Sequence, residues 1–271
     1  MYTARQAHKR RARVLAACVL AVACALPAGC GSSKKPAEAR RTGVFGTGAE
    51  RFWIFARGRA DIRAVVVFLH GHGGPIEMTP TNHEPWLQHL ASRDDVVVYP
   101  QYEAFPGATG TVPHIVHAVA RASRLWRPRA CVPLVVIGYS RGGGLAVKYA
   151  ASVPAGGPVP DAVVSVFPGS SEEAPVDLRR LPRGIRIRVM VGDADKVVGS
   201  VGALAILTGL RQSGFNPAHV EVVPVRSRGG FAATHSAPFD TSPRAKREFW
   251  ARTDRFIDSL RAEKSSRRAN C

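Results

Sequence analysis

The 271-residue chain predicts an α/β fold, a mostly parallel twisted sheet with helices on both faces. Three observations carry this. Short β-branched runs alternate with longer helical stretches, and strand-then-helix repetition builds parallel sheets through crossover connections. Several runs are apolar throughout rather than alternating, as expected of strands covered on both faces. Gly, Pro or Asp bounds them, so each run ends in a turn.

In chain order, strands are expected at Arg51–Ala56, Ala64–Leu69, Val96–Tyr99, Leu134–Gly138, Val163–Phe167, Ile187–Gly192 and His219–Val225. Helices are expected at Glu84–Ser92, Val112–Trp126, Gly142–Ala151, Ser200–Gln212 and Pro243–Leu260, and the Gly/Pro stretch Ala155–Pro160 reads as a loop. The length suits one sizeable core, the 45% hydrophobic content is that of a globular protein, and no internal repeat or second domain is evident.

The first residues follow another logic. Arg5, Lys9, Arg10, Arg11 and Arg13 form a basic head, Val14 to Leu26 is apolar and uncharged, and Pro27-Ala28-Gly29 precedes Cys30. A basic head, a short apolar run and small residues at a cleavage point describe an export signal. The cysteine after the cut resembles a bacterial lipobox, with Cys30 as the lipidated residue. The match departs from the pattern in having Pro27 where Leu is usual; Cys24 and Cys18 are the competing positions, and a plain secretory signal is the alternative. The expected organisation is a signal peptide over 1–29, a lipid-anchored tether over 30–48, a folded domain over 49–262 and a polar tail over 263–271. Such a protein sits on the extracytoplasmic face of a bacterial membrane, or is secreted.

The formal charge is +18; five of the 38 Lys and Arg precede Cys30 and no acid does, which leaves 33 basic against 20 acidic residues, or +13, in the remainder. A basic surface favours anionic lipid or wall polymer, but arginine is scattered, and no basic helix or aromatic-basic cluster points to nucleic acid. Of five cysteines three lie in the signal region; outside the cytosol the remaining Cys131 and Cys271 are candidates for a disulfide.

The strongest local signal is Gly138-Tyr139-Ser140-Arg141-Gly142, which follows the apolar run Leu134–Ile137 and opens a small-residue helix. Strand, sharp turn and helix are the context in which G-x-S-x-G forms a nucleophile elbow. The glycines admit the tight turn, which lifts Ser140 to the positive end of the helix that follows.

On these residues the chain resembles the α/β-hydrolases, in particular the dienelactone-hydrolase-like and lipase/esterase branches, over roughly Arg51 to Leu260. The resemblance implies further parts. His70-Gly71-His72-Gly73-Gly74 after the second strand stands where the family places its oxyanion loop, which makes the backbone N–H groups of His72 and Arg141 the expected donors. The acidic turn after Val189–Gly192 selects Asp195, with Asp193 as competitor. The family order of serine, acid, histidine leaves His219 and His235, and the loop position selects His235. Read together, Ser140 is the nucleophile, His235 the base and Asp195 the orienting acid of an esterase acting through an acyl-enzyme, with no cofactor, as a monomer, on a small-molecule or lipid ester. Peptidase, thioesterase and acyltransferase activities belong to the same fold, and a non-catalytic envelope lipoprotein is the rival of another class. His70 and His72 lack a third metal ligand of suitable spacing. Trp86, Tyr102 and Phe105, in or near loops beyond strands, are candidates for the pocket lining, and Ser170–Pro182 for a short cap too small for the lid of many lipases.

Overall fold

Among the described residues eight strands and six helices follow one another; the seven strands and five helices expected from the sequence are joined by an additional first strand, and the last expected helix is divided in two. The computed structural model describes residues 40–58, 61–72, 74–126, 128–171 and 173–267, all within the compact unit Pro36–Cys271. The signal peptide, Cys30 and Cys271 lie outside the described residues. Cys131 is disulfide-bonded.

The strands are β1 (Arg40–Phe45), β2 (Phe52–Ala56), β3 (Val65–Leu69), β4 (Val96–Pro100), β5 (Leu134–Tyr139), β6 (Ala162–Val166), β7 (Arg186–Gly192) and β8 (Val220–Val225). They form one sheet in the order β1-β2-β4-β3-β5-β6-β7-β8. Pairing is parallel from β4 through β8, and antiparallel between β1 and β2 and between β2 and β4. The helices are α1 (Glu84–Ser92), α2 (Thr111–Trp126), α3 (Arg141–Ser152), α4 (Val201–Gln212), α5 (Pro243–Glu248) and α6 (Trp250–Arg267).

Side-chain alternation along the buried strands divides the core in two. On one face Phe68, Val97, Ile137, Val164 and Met190 pack with Trp86 and Leu90 of α1 and Phe256 and Ile257 of α6. On the other, Val67, Val136, Val163 and Val189 pack with Ile115 of α2, Leu145 of α3 and Ile206 of α4. Helices therefore cover both faces, which is why the central strands read as uninterrupted apolar runs.

Three boundaries differ from expectation. Residues 40–45, expected within the tether, form β1 and pair antiparallel with β2 across an irregularity between Arg41 and Gly43. Arg-Arg-Thr-Gly-Val-Phe carries no period-two pattern, and Val44 stays half exposed, as an edge strand permits. The helix expected at Pro243–Leu260 divides at Phe249, whose fully buried ring packs between those of Trp86 and Phe167. The polar tail is helical as far as Arg267, because Glu263 pairs with Arg186 at 2.7 Å and Lys264 with Asp161 at 2.8 Å. Among the described residues no helix is long and apolar enough to cross a membrane.

Candidate active site

The strand order changes direction at β3: β4 lies on one side of it and β5 on the other. Open parallel sheets bind ligands in the crevice beyond the carboxyl ends at such a switch point, and here β3 runs into His70 and β5 into Ser140. Register sets Leu69 beside Gly138, so the two loops start level.

Ser140 occupies the turn between β5 and α3 with φ 54° and ψ −123°, a conformation that a residue with a Cβ adopts only where its surroundings enforce it. The enforcement is local. Its N–H donates to the Val166 carbonyl at 3.0 Å, and its own carbonyl accepts from Gly143 at 2.8 Å and Gly169 at 2.9 Å. A Cβ on Gly138 would stand 2.0 Å from the Gly142 carbonyl oxygen, and one on Gly142 would stand 2.3 Å from that of His70. Only glycine fits either place.

Three side chains distant in sequence meet at this turn. Nε2 of His235 lies 2.9 Å from Ser140 Oγ, and its Nδ1 lies 2.8 Å from Asp195 Oδ2. Asp195 Oδ1 accepts the N–H groups of Val197 at 2.9 Å and Val198 at 3.2 Å, so the carboxylate has one oxygen committed to backbone and one to the imidazole. Asp193 faces elsewhere: it accepts from the Ser227 N–H and hydroxyl, which hold its pKa below the usual carboxylate value. His219 closes a short 3₁₀ turn ahead of β8, with its ring beside Phe215. His235 is held from its other side by Tyr139, whose hydroxyl donates to the His235 carbonyl at 3.0 Å while the two ring centroids stand 5.0 Å apart.

A cavity of about 410 Å³ opens above Ser140, lined among others by His72, Glu77, Tyr139, Ser170, Val198, His235 and Phe239. His72 is thus brought to the site. Arg141 lines it too and is the first residue of α3, where a backbone N–H has no partner within its own helix. Of the stretch Ser170–Pro182, Ser170 reaches the cavity, and Glu173 ties the segment down by accepting from the N–H groups of Gly110 and Thr111.

The three aromatic pocket candidates are not among the lining residues. Trp86 points into the core against Phe68 and Phe249. Tyr102 is fully buried behind the loop, stacked 4.1 Å from His70 and donating to its carbonyl at 2.6 Å. Phe105 is exposed. The aromatic wall belongs instead to Tyr139, the last residue of β5, and Phe239, in the turn beyond β8. His70 is buried with its ring nitrogens 2.7 and 2.8 Å from the Gly71 and Gln101 carbonyls; burial outweighs those contacts and draws its pKa down to about 4, so it stays neutral. Among the described residues no group of His, Cys, Asp or Glu is arranged to hold a metal.

The Arg141 side chain turns away from the cavity into a buried ion cluster. It pairs with Glu103 and with Glu173 at 3.3 Å, and donates to the Ala108 carbonyl at 2.6 Å. Removing one partner from a buried ion pair strands the charge left behind. Arg141→Leu is expected to destabilise the fold by about 3–5 kcal/mol, measured by chemical denaturation; a loss below about 1 kcal/mol would show the cluster to be dispensable.

No family model and no curated protein matches the chain. Solved structures resemble it in shape. Esterase B from Lactobacillus rhamnosis superposes with a TM-score of 0.64 at 16% identity, over 85% of this chain and 89% of that one. An α/β-hydrolase enzyme from a Medee basin deep-sea metagenome library gives 0.57 at 15% identity, over 83% and 99%. A fungal esterase from Rhizomucor miehei gives 0.55 at 17% identity, over 85% and 84%. At these identities the likeness is one of fold. The chain has the α/β-hydrolase fold: a mostly parallel eight-stranded sheet, covered by helices, with a serine at the sharp turn after β5.

Proposed function

We propose that the chain is a serine hydrolase that cleaves carboxylic esters through an acyl-enzyme. The observation that carries this is the unbroken hydrogen-bonded line from Ser140 Oγ through His235 to Asp195, with spans of 2.9 and 2.8 Å. With Asp195 accepting from Nδ1–H, Nε2 is left as the acceptor of the Ser140 proton. The Ser140 oxygen attacks the ester carbonyl. The backbone N–H groups of Arg141 and His72 receive the charge that develops on the carbonyl oxygen, where one donor is typically worth ~3 kcal/mol. His235 then gives its proton to the leaving alcohol, and water, activated by the same imidazole, releases the acid. Esterases among the structural neighbours agree with this reading.

The N-terminal segment extends the proposal to location. Its basic head, apolar run and Cys30 fit export and lipid attachment at the outer face of a bacterial membrane, with residues up to the start of β1 as tether.

A fluorophosphonate probe is expected to label Ser140 in the folded protein, and the label to vanish after heat denaturation. The cavity lies at the small end of ligand pockets, so p-nitrophenyl acetate and butyrate are expected to exceed the palmitate ester in kcat/KM by at least about tenfold. Labelling at another residue, or no labelling, would overturn the proposal; a preference for palmitate would overturn the assignment to short esters.

A further inference from the structure

We propose, resting on the ester-hydrolase reading above, that Glu77 makes the cleft selective for esters carrying a positively charged group, and that it is the specificity-determining residue of this site.

Glu77 lies in the loop between β3 and α1 and lines the same cavity as Ser140. Its position is over-determined. The Tyr99 hydroxyl donates to its carbonyl at 2.6 Å, Asn82 Nδ2 donates to Oε1 at 2.6 Å, and His83 Nε2 lies 3.0 Å from Oε2. His83 is itself packed among the rings of Phe68, Tyr139 and Phe239. The carboxylate is therefore fixed before any ligand arrives, which spares a ligand the cost of ordering it.

Its charge is what sets it apart. Glu103 and Glu173 are paired by Arg141, and Asp95 and Asp254 by Arg63. Among the described residues no lysine or arginine pairs with Glu77; its partners are an amide and an imidazole. Burial alone would raise its pKa, but the hydrogen bond and charge interaction with His83, and after them the hydrogen bond from Asn82, outweigh that and hold it at about 2, so the group is ionised. The other charged side chains around the cavity do not cancel it. Asp195 is a second carboxylate behind His235, and the Arg141 guanidinium is turned away to Glu103 and Glu173. His72, His235 and Tyr139 complete the titratable lining.

A fixed carboxylate on the wall of a partly enclosed cleft acts through a medium of low effective dielectric, so its field there is stronger than that of an exposed charge. It attracts an ammonium or guanidinium on the substrate and repels a second carboxylate. The effect is local: the formal charge of the chain, +18, would at long range favour the opposite choice. Val197, Val198 and Phe239 supply the apolar part of the lining.

The test compares three short acetate esters of similar size: acetylcholine, its neutral carbon isostere 3,3-dimethylbutyl acetate, and an acetate ester bearing a carboxylate. Turnover of the neutral ester reports ester hydrolysis itself, and the ratios report the inference, so the two fail separately. At low salt the wild-type protein is expected to favour the cation over the neutral ester by about tenfold in kcat/KM, and the neutral ester over the anion by a similar factor. The preferences are expected to shrink at about 0.5 M salt, a readout that needs no variant. Glu77→Gln, which keeps the shape and removes the charge, is expected to bring the cation-to-neutral ratio to within about threefold of unity. Equal wild-type turnover of cationic and neutral esters at low salt would overturn the inference. So would a folded Glu77→Gln protein with an unchanged ratio, which would make Glu77 a brace for Asn82 and His83 only.

Discussion

Ser140→Ala is expected to fold normally and to lose about 10⁶-fold in kcat toward a short activated ester, the scale on which removal of the nucleophile from a hydrogen-bonded serine, histidine and carboxylate acts. The substitution deletes one oxygen that lies 2.9 Å from His235 Nε2. It leaves the backbone bonds to Val166, Gly143 and Gly169 that shape the turn, and alanine keeps the Cβ whose conformation those bonds already impose. Stability and KM should therefore change little while kcat collapses. Because the members of such a set act as a unit, adding His235→Ala should cost little more. Steady-state kinetics, with circular dichroism as the check on folding, decides it: undiminished turnover by a folded Ser140→Ala protein would remove the mechanism altogether.

Asp195→Asn is expected to lower kcat by about 10⁴-fold, for a reason that the hydrogen bonds spell out. Oδ1 accepts two backbone N–H groups, from Val197 and Val198. An asparagine would keep its carbonyl oxygen toward those donors and turn its NH₂ toward His235 Nδ1. The imidazole would then have to accept at Nδ1 and carry its proton on Nε2, where it faces Ser140 and is unable to take the hydroxyl proton. The matching change Asp193→Asn alters an exposed side chain bonded to Ser227 and should stay within about fivefold of wild type. Kinetics on the pair assign the acid; a loss at Asp195→Asn smaller than tenfold would exclude it.

The parts of this molecule legible in the sequence are those whose causes are local. The central strands β3, β4 and β5 announce themselves because burial on both faces leaves them almost wholly apolar. The turn at Ser140 announces itself because two glycines, at 138 and 142, face backbone atoms too close for any side chain. Choosing Asp195 over Asp193 and His235 over His219 takes the family resemblance, through the acidic turn and the loop position, and the structure brings Asp195 and His235 together with Ser140. The cavity wall was not legible. Trp86, Tyr102 and Phe105 stand near the ends of strands and so suggest themselves, yet lining depends on how loops far apart in sequence close over one another. Trp86 is drawn into the core by Phe68 and Phe249, and Phe239 arrives from the far side of the sheet. Glu77 gives no local sign: that it lines the cavity, with no lysine or arginine pairing with it among the described residues, emerges only from the folded chain. β1 leaves no signature in the sequence because an edge strand has one neighbour and needs no alternation to satisfy it.

Tyr102, Ser140 and Phe167, none of them glycine, hold φ values of 44°, 54° and 47° close behind the carboxyl ends of β4, β5 and β6. Each such backbone conformation costs on the order of 1–3 kcal/mol, and all three follow strands that end on the rim that carries the reactive groups. Robustness and reactivity are thus set against each other at one margin of the molecule. A search for heat-tolerant variants would be rewarded for relaxing this rim, with glycine first of all, and at position 140 the gain in durability would arrive together with the loss of the hydroxyl.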